Sequence, residues 1–380
     1  MKTIQQITVC HITSAHPRTD IRIFIKQCCS LAQAGYKVVL LVADGYGDEK
    51  QQGVNIFDVC PPSKGRLARM VSTVDRLFTA AKNVDADIYH LHDPELLRIA
   101  LKLKKLGKCV IYDAHEDLPS QIAFKPYLSK LSRILLPPAI KQYEFYVTRN
   151  LDAIVAATPH IRDKFQTVNS NAVDINNYPL LQELYSSNLI YEVREARVCY
   201  VGSISEIRGI YPLVQSLPIS GSSVRLSLAG RFSETEVAAK ARTLPGWQQV
   251  DELGHVDRHE LKGLFSKSIA GIVTFLRAPN HIYAQPNKMF EYMSAGLPVI
   301  ASNFPLWKEI IHGNECGLCV NPEDPKEIAD AIHYLAANPQ EIVRMGKNGR
   351  SAVERNYNWE TEKEKLLALY QRLMHRIMGG

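Results

Sequence analysis

The chain has 380 residues, 46% of them hydrophobic and 22% charged, which suits two or three globular domains and rules out a disordered, collagen-like or coiled-coil chain. Lys and Arg number 45 against 39 Asp and Glu, a net charge of +6, too small an excess to mark a nucleic-acid binder. No apolar run approaches the ~18–20 residues that span a bilayer. Gln5 and Gln6 interrupt any signal-peptide core, so a chain that stays in the cytoplasm is expected.

Short apolar runs alternate with amphipathic stretches along the whole chain. In the first half they predict strands over 7–14, 37–44, 54–59, 87–92, 109–115 and 152–158. Most are continuous rather than alternating, as in parallel strands buried on both faces. Between them fall helices such as 22–34, where Ile23, Phe24, Cys28 and Leu31 recur at helical spacing. Residues 176–194 break the rhythm with turn formers. A second series of strands follows over 197–203, 224–230, 270–276, 297–302 and 317–320. The chain therefore reads as α/β, with two doubly wound, Rossmann-like domains over residues 1–190 and 191–380. In such sheets ligands bind beyond the carboxyl ends of the strands, so two facing sheets predict a cleft. The stretch 358–378 predicts a final helix packing back.

Several common motifs are absent. Neither Gly107-Lys108 nor Gly346-Lys347 is followed by Ser or Thr, so there is no phosphate loop of the G-x-x-x-x-G-K-[ST] kind. The first strand ends in Thr13-Ser14-Ala15-His16 rather than G-x-G-x-x-G, which argues against a nicotinamide dehydrogenase. There is no G-x-S-x-G elbow. Asp85-Ala86-Asp87 precedes a strand, the wrong end of a sheet for a metal-diphosphate site. His90-Leu91-His92-Asp93 lacks third and fourth metal ligands, and Asp93-Pro94 reads as a helix start. Cys316 and Cys319 form a lone C-x-x-C inside a strand-like run. No metal site and no cofactor is expected.

The informative stretch is 285–302. It reads as loop, short helix from Pro286 or Asn287, glycine stop at Gly296, and buried strand. Lys288 and Glu291 sit three apart on one helical face. The helix N-terminus favours anions and Lys288 adds a charge for phosphate. Glu291 offers an acceptor for a pair of ribose hydroxyls.

This segment resembles the donor-binding signature of the GT-B glycosyltransferases, most like the retaining family-4 group, in which a carboxylate at the place of Glu291 binds the ribose of a nucleotide sugar. The resemblance covers nearly the whole chain. Residues 200–209, with Gly202, Ser203 and Arg208, look like the strand and loop that grip the donor diphosphate. Gly230-Arg231 resembles the next strand end, and Gly254-His255 the loop beside the base. His115, in Tyr112-Asp113-Ala114-His115-Glu116-Asp117, looks like the active-site histidine beside the transferred sugar. Arg18, Asp20, His92 and Asp93 are further residues expected to border the cleft. The pattern also departs from the family. Tyr283 stands where a second glutamate is common, Ser203 where Arg is usual and Arg208 where Lys is usual.

The resemblance implies transfer of a hexose or amino sugar from a UDP- or GDP-linked donor, with retention and no required metal. His115, Arg208 and Lys288 would carry the chemistry, and Gly202, Ser203, Asn287 and Glu291 would complete the donor site. The implied acceptor is an oligosaccharide or a polyprenyl-diphosphate-linked sugar used in O-antigen, capsule or exopolysaccharide assembly. The basic stretch 98–108 and the residues Lys125, Lys130, Arg133, Lys141 and Arg149 then suggest peripheral contact with the inner face of the cytoplasmic membrane. A hydrolysing nucleotide-sugar epimerase of the same fold is the alternative, as is a non-catalytic partner in polysaccharide assembly.

Overall fold

The computed structural model describes residues 7–60, 69–123, 128–185, 195–220 and 223–379. The chain forms two compact units, one of residues 1–177 with 360–380 and one of residues 178–359. The division therefore falls at Asn177 rather than 190, and the terminal helix belongs to the first unit from Glu360 onward.

The first unit is an eight-stranded sheet. Its strands are β1 (Thr8–Ile12), β2 (Lys37–Val42), β3 (Glu49–Gln51), β4 (Val54–Asp58), β5 (Ile88–Leu91), β6 (Cys109–Ala114), β7 (Ala153–Ala156) and β8 (Ala172–Asp174). Their order is β3-β4-β2-β1-β5-β6-β7-β8, parallel except for the β3–β4 pair. The second unit holds β9 (Arg197–Val201), β10 (Arg225–Ala229), β11 (Val250–Gly254), β12 (Ala270–Val273), β13 (Val299–Ser302) and β14 (Gly317–Val320). These run in the order β11-β10-β9-β12-β13-β14, all parallel.

Each sheet reverses its winding once, beside its first strand. The reversal lies between β1 and β5 in the first unit and between β9 and β12 in the second. Loops leaving adjacent strands there diverge to opposite faces and open a crevice at the carboxyl ends. The buried faces are apolar, as the continuous runs require. Cys10, Ile12, Leu41, Leu77 and Leu91 share one core in the first unit. Apolar residues cover both faces of the second sheet, with Cys199, Val201 and Val273 on one and Val198, Tyr200 and Ile272 on the other.

The two basic stretches differ in structure. Residues 98–108 form mostly the helix Leu97–Lys105, with Leu103 buried, Lys104 paired to Asp152 at 2.7 Å and Lys108 to Asp85 at 2.6 Å. That helix seats its apolar side on its own sheet and is not a free lipid-facing surface. The helix Lys130–Thr148 instead leaves Leu131, Ile134, Leu135 and Leu136 exposed. Lys125 lies outside the described residues. No helix among the described residues is long and apolar enough to cross a membrane.

Candidate active site

In the second unit, β9 runs into Gly202 and Ser203 and then a single turn, Glu206–Arg208, ended by Gly209 at φ +80°. A Cβ at Gly209 would lie 1.8 Å from the Thr274 carbonyl oxygen beyond β12. A Cβ at Gly230, after β10, would lie 1.9 Å from the Gly202 carbonyl oxygen. Only glycine lets these three loops close together at the sheet's reversal point.

The helix Asn287–Ser294 begins beside them. Its N-cap, Pro286, offers no side-chain acceptor, so the first-turn N–H groups gain no side-chain cap. Lys288 is buried, with its Nζ 3.7 Å from the position of a Gly202 Cβ and 3.6 Å from the Tyr200 ring centroid. This ammonium has no hydrogen-bond acceptor among the described residues. Burial, with the nearby charge of Arg208, pushes its pKa well below the usual lysine range. Arg208 is half-buried, donates to the Ser203 carbonyl at 3.2 Å and lies over the Phe275 ring. Two cationic groups and a helix N-terminus thus meet at one glycine-lined position, and the carboxylate whose charge acts on Lys288, Glu291, is engaged by Arg258. Such a set suits a diphosphate.

Glu291, one turn further along the helix, accepts from Arg258 at 2.7 Å. Arg258 also makes a bidentate pair with Glu183, at 2.6 and 2.7 Å. Arg258, itself anchored by Glu183, thereby holds Glu291 in place. Arg258 and Glu183 carry no functional signal in the sequence; in the structure Arg258 is the first residue of the helix Arg258–Lys267, capped by Asp257 and Glu260.

In the first unit, strand register builds a second polar cluster. His11 of β1 is level with His90 of β5. His92 and Asp113 extend the same alternation by two residues, because successive side chains of a strand point to opposite faces. All four are buried. Asp113 receives Arg22 through Nη2 at 2.7 Å and Nε at 3.2 Å, and Gln27 at 2.7 Å. Burial would raise its pKa, but Arg22 and the neighbouring imidazoles hold it well below the carboxylate range. Burial also keeps His11, His90 and His92 neutral, the last with its pKa lowered to about 3.

His115 sits at the open end of this cluster, its Nε2 3.3 Å from His92 Nδ1 and 3.7 Å from Asp113. Beside it stands His16, whose ring centroid is 5.1 Å away. His16 Nδ1 is 3.0 Å from buried Asp93, which also accepts from Thr13 Oγ1 and the Ser14 amide. The hydrogen bond to Asp93 raises the His16 pKa. The dyad of His16 and Asp93 is invisible in the sequence, where 77 residues separate its members.

The triads His11–His90–His92 and His92–Asp113–His115 each bring ligand atoms within 4.8 Å. The Arg22 guanidinium occupies the Asp113 carboxylate and places a positive charge where a cation would sit, so the second triad is poorly suited to a metal.

Two family descriptions tile the chain, "Glycosyl transferases group 1" over residues 195–338 and "Glycosyltransferase Family 4" over residues 24–175. The chain is a group 1 glycosyltransferase of the GT-B fold. It is 24% identical over 302 residues to the phosphatidyl-myo-inositol mannosyltransferase of Mycobacterium leprae, across 76% of this chain and 74% of that one. It is 26% identical over 237 residues to spore coat protein SA of Bacillus subtilis, across 58% of this chain and 62% of that relative, less than two thirds of it. Sucrose-phosphate synthase from Thermosynechococcus elongatus shares the fold at a TM-score of 0.77 and 19% identity, covering 97% of this chain and all of that one (100%). HepE of Anabaena, solved in complex with UDP-glucose, matches at 0.72 and 13%, covering 96% and 100%.

The remaining marked residues of the glycosyltransferase take varied places. Arg18 is a buried structural cation, paired with Asp44 at 2.6 Å and Glu49 at 3.0 Å. Asp20 caps the helix that starts at Ile21, accepting from the Arg22 and Ile23 amides at 2.9 Å. His92 and Asp93 are buried supports for His115 and His16. Asn287, Arg231 and His255 are exposed at the carboxyl ends of the second sheet, and Tyr283 is half exposed (50%). Cys316 and Cys319 are packed thiols, which burial raises to about 12. Asp87 accepts from the Thr8 amide at the amino end of the first sheet, away from the cluster.

Proposed function

We propose that the enzyme transfers a hexose or amino sugar from a UDP- or GDP-linked donor to a membrane-lipid-linked sugar acceptor, with retention of anomeric configuration. The buried ammonium of Lys288 beside Gly202, without a hydrogen-bond acceptor among the described residues, carries this reading. With Arg208 and the helix Asn287–Ser294 it would stabilise charge growing on the departing diphosphate. The departing phosphate would then take the proton of the acceptor hydroxyl. Glu291, steadied by Arg258, would hold the ribose hydroxyls of the donor. His115, Gly202, Ser203 and Asn287 complete the proposed site, the first on the acceptor side and the other three on the donor side.

Glu291→Ala tests the donor assignment by calorimetry. Loss of charge-assisted bonds to ribose is expected to weaken nucleotide binding by about 1–3 kcal/mol with the fold intact. Unchanged affinity refutes the role given to Glu291.

The lipid-linked acceptor draws support from the helix Lys130–Thr148. Leu131, Ile134 and Leu135 fall at i, i+3 and i+4 on one face, exposed by 66, 69 and 58%. Exposed Lys130 and Lys141 flank them. Apolar side chains beside lysines suit an anionic bilayer surface at the inner face of the cytoplasmic membrane. The name of the mannosyltransferase relative likewise carries a membrane lipid. The protein is expected to sediment with anionic vesicles at low salt. Changing Leu131, Ile134 and Leu135 to Ser should abolish that sedimentation without loss of donor binding. Wild-type protein that ignores anionic vesicles would remove this support.

A further inference from the structure

The buried histidines of the first unit form one continuous line. His115 Nε2 meets His92 Nδ1 at 3.3 Å, and His92 Nε2 meets His11 Nδ1 at 2.8 Å. His11 Nε2 meets the Tyr370 hydroxyl at 3.4 Å, and that hydroxyl meets His90 Nδ1 at 2.8 Å. Tyr370 comes from the terminal helix and is fully buried. Every link joins two groups that can each donate or accept, so each link carries one proton and the line has two possible directions.

Asp113 decides between them. Its Oδ2 lies 3.4 Å from His92 Nδ1, 3.7 Å from His115 Nε2 and 3.7 Å from His90 Nε2. In the first direction His92 points Nδ1–H between the carboxylate and the lone pair of His115 Nε2, His11 donates to His92, Tyr370 donates to His11 and His90 donates to Tyr370, so His115 carries its proton on Nδ1. The Nε2 lone pair of His90, which makes no hydrogen bond among the described residues, then faces the Asp113 carboxylate at 3.7 Å. In the second direction His115 donates Nε2–H to His92, His92 to His11, His11 to Tyr370 and Tyr370 to His90. His90 then presents Nε2–H to Asp113. Two N–H groups face the carboxylate in place of one, and the lone pair on His92 is satisfied by His115. A buried anion favours this arrangement. The other charged groups at the cluster, Arg22 on Asp113 and the Asp93–His16 pair beside His115, leave the choice unchanged because neither touches a link of the line.

We propose that this buried line fixes His115 as the tautomer protonated at Nε2, with Tyr370 as a positioning residue that sets the direction of the line. His115 Nδ1, which has no partner among the described residues, is then a lone-pair acceptor. It takes a hydrogen bond from a hydroxyl of the acceptor sugar other than the one that reacts, and so orients the acceptor; this last step rests on the transferase reading. The terminal helix thereby contributes to the acceptor side of the enzyme without touching substrate.

Two-bond proton–nitrogen correlation spectra of the full chain, labelled with 15N-histidine and without substrate, read the tautomer directly. His115 is expected to show a protonated Nε2 and an unprotonated Nδ1 near neutral pH. Tyr370→Phe keeps the ring that packs edge-on against Tyr36 but breaks two links. In that variant His115 should gain the Nδ1-protonated form, and kcat should fall by up to roughly a hundredfold with the donor KM unchanged. A wild-type His115 protonated at Nδ1 overturns the proposal, whether or not the variant folds. An unchanged His115 pattern in a folded Tyr370→Phe variant overturns the role of Tyr370. The spectra use no donor or acceptor, so the tautomer is measured independently of the transferase assignment and holds even if that assignment fails.

Discussion

Lys288→Met is expected to make the protein more stable and the enzyme nearly inactive. The wild-type side chain buries an ammonium with no acceptor among the described residues, against Tyr200 and Phe275. Burying a polar group without a partner costs about 1–3 kcal/mol in proteins, and methionine fills the same volume without that cost. Turnover at saturating donor should drop by about 10²–10³, the scale for losing one preorganised group that meets developing charge. The effect has a defined pH dependence. Lys288 has a lower pKa folded than unfolded, so the unfolded chain binds more protons and wild-type stability rises with pH through that window. The stabilisation by methionine should therefore shrink as pH approaches the ordinary lysine pKa of about 10.4. Denaturant unfolding at neutral and alkaline pH measures both points. A destabilised variant with normal turnover would show that Lys288 is an ordinary structural lysine.

Arg22→Met should produce the largest loss of stability, about 3–5 kcal/mol. Asp113 would remain fully buried with Gln27 and neutral imidazoles but no cation, and breaking one side of a buried pair costs that much. Asp113→Asn in the same chain should recover a large part of it, since the uncompensated charge is then gone. The pair also fixes the acid limb. The Asp113 pKa is depressed in the folded chain, so its stabilisation is complete above the unfolded value of about 3.9 and is lost as pH falls through the folded value. Urea titrations of the single and double variants check this. Equal stability of wild type and Arg22→Met would place the support of Asp113 elsewhere.

Most strands are legible in the sequence because they are continuous apolar runs. β14 coincides with its run to the residue, and the others differ by a few positions at their ends, where turn formers blur the limit. Three strands leave no signal. β3 is Glu49-Lys50-Gln51, wholly exposed, β8 has only three residues, and β11 is a polar edge strand in Val250–Gly254. Each owes its conformation to pairing with a neighbour rather than to its own pattern. The helix-start signature around Lys288 and Glu291 is legible for the same local reason, since a capping position, a charge and a glycine stop all lie within one short segment. The histidine cluster of the first unit is only half visible. His90 and His92 stand out two apart, but their partners His11, Asp113 and Tyr370 come from distant segments. Parallel register across β1, β5 and β6 supplies His11 and Asp113, the terminal helix supplies Tyr370, and no local spacing encodes either. Arg18 shows the converse, a conspicuous arginine in a loop that tertiary pairing makes structural.

The most direct test is product analysis of purified wild-type enzyme incubated with a panel of UDP- and GDP-sugars, with and without a polyprenyl-diphosphate-linked sugar. Mass spectrometry follows the nucleotide and NMR reads the anomeric carbon. Nucleoside diphosphate released only when acceptor is present, with a new glycosidic bond of the donor's own anomeric configuration, is the predicted result. Free or epimerised sugar released without acceptor, or an inverted linkage, would contradict it.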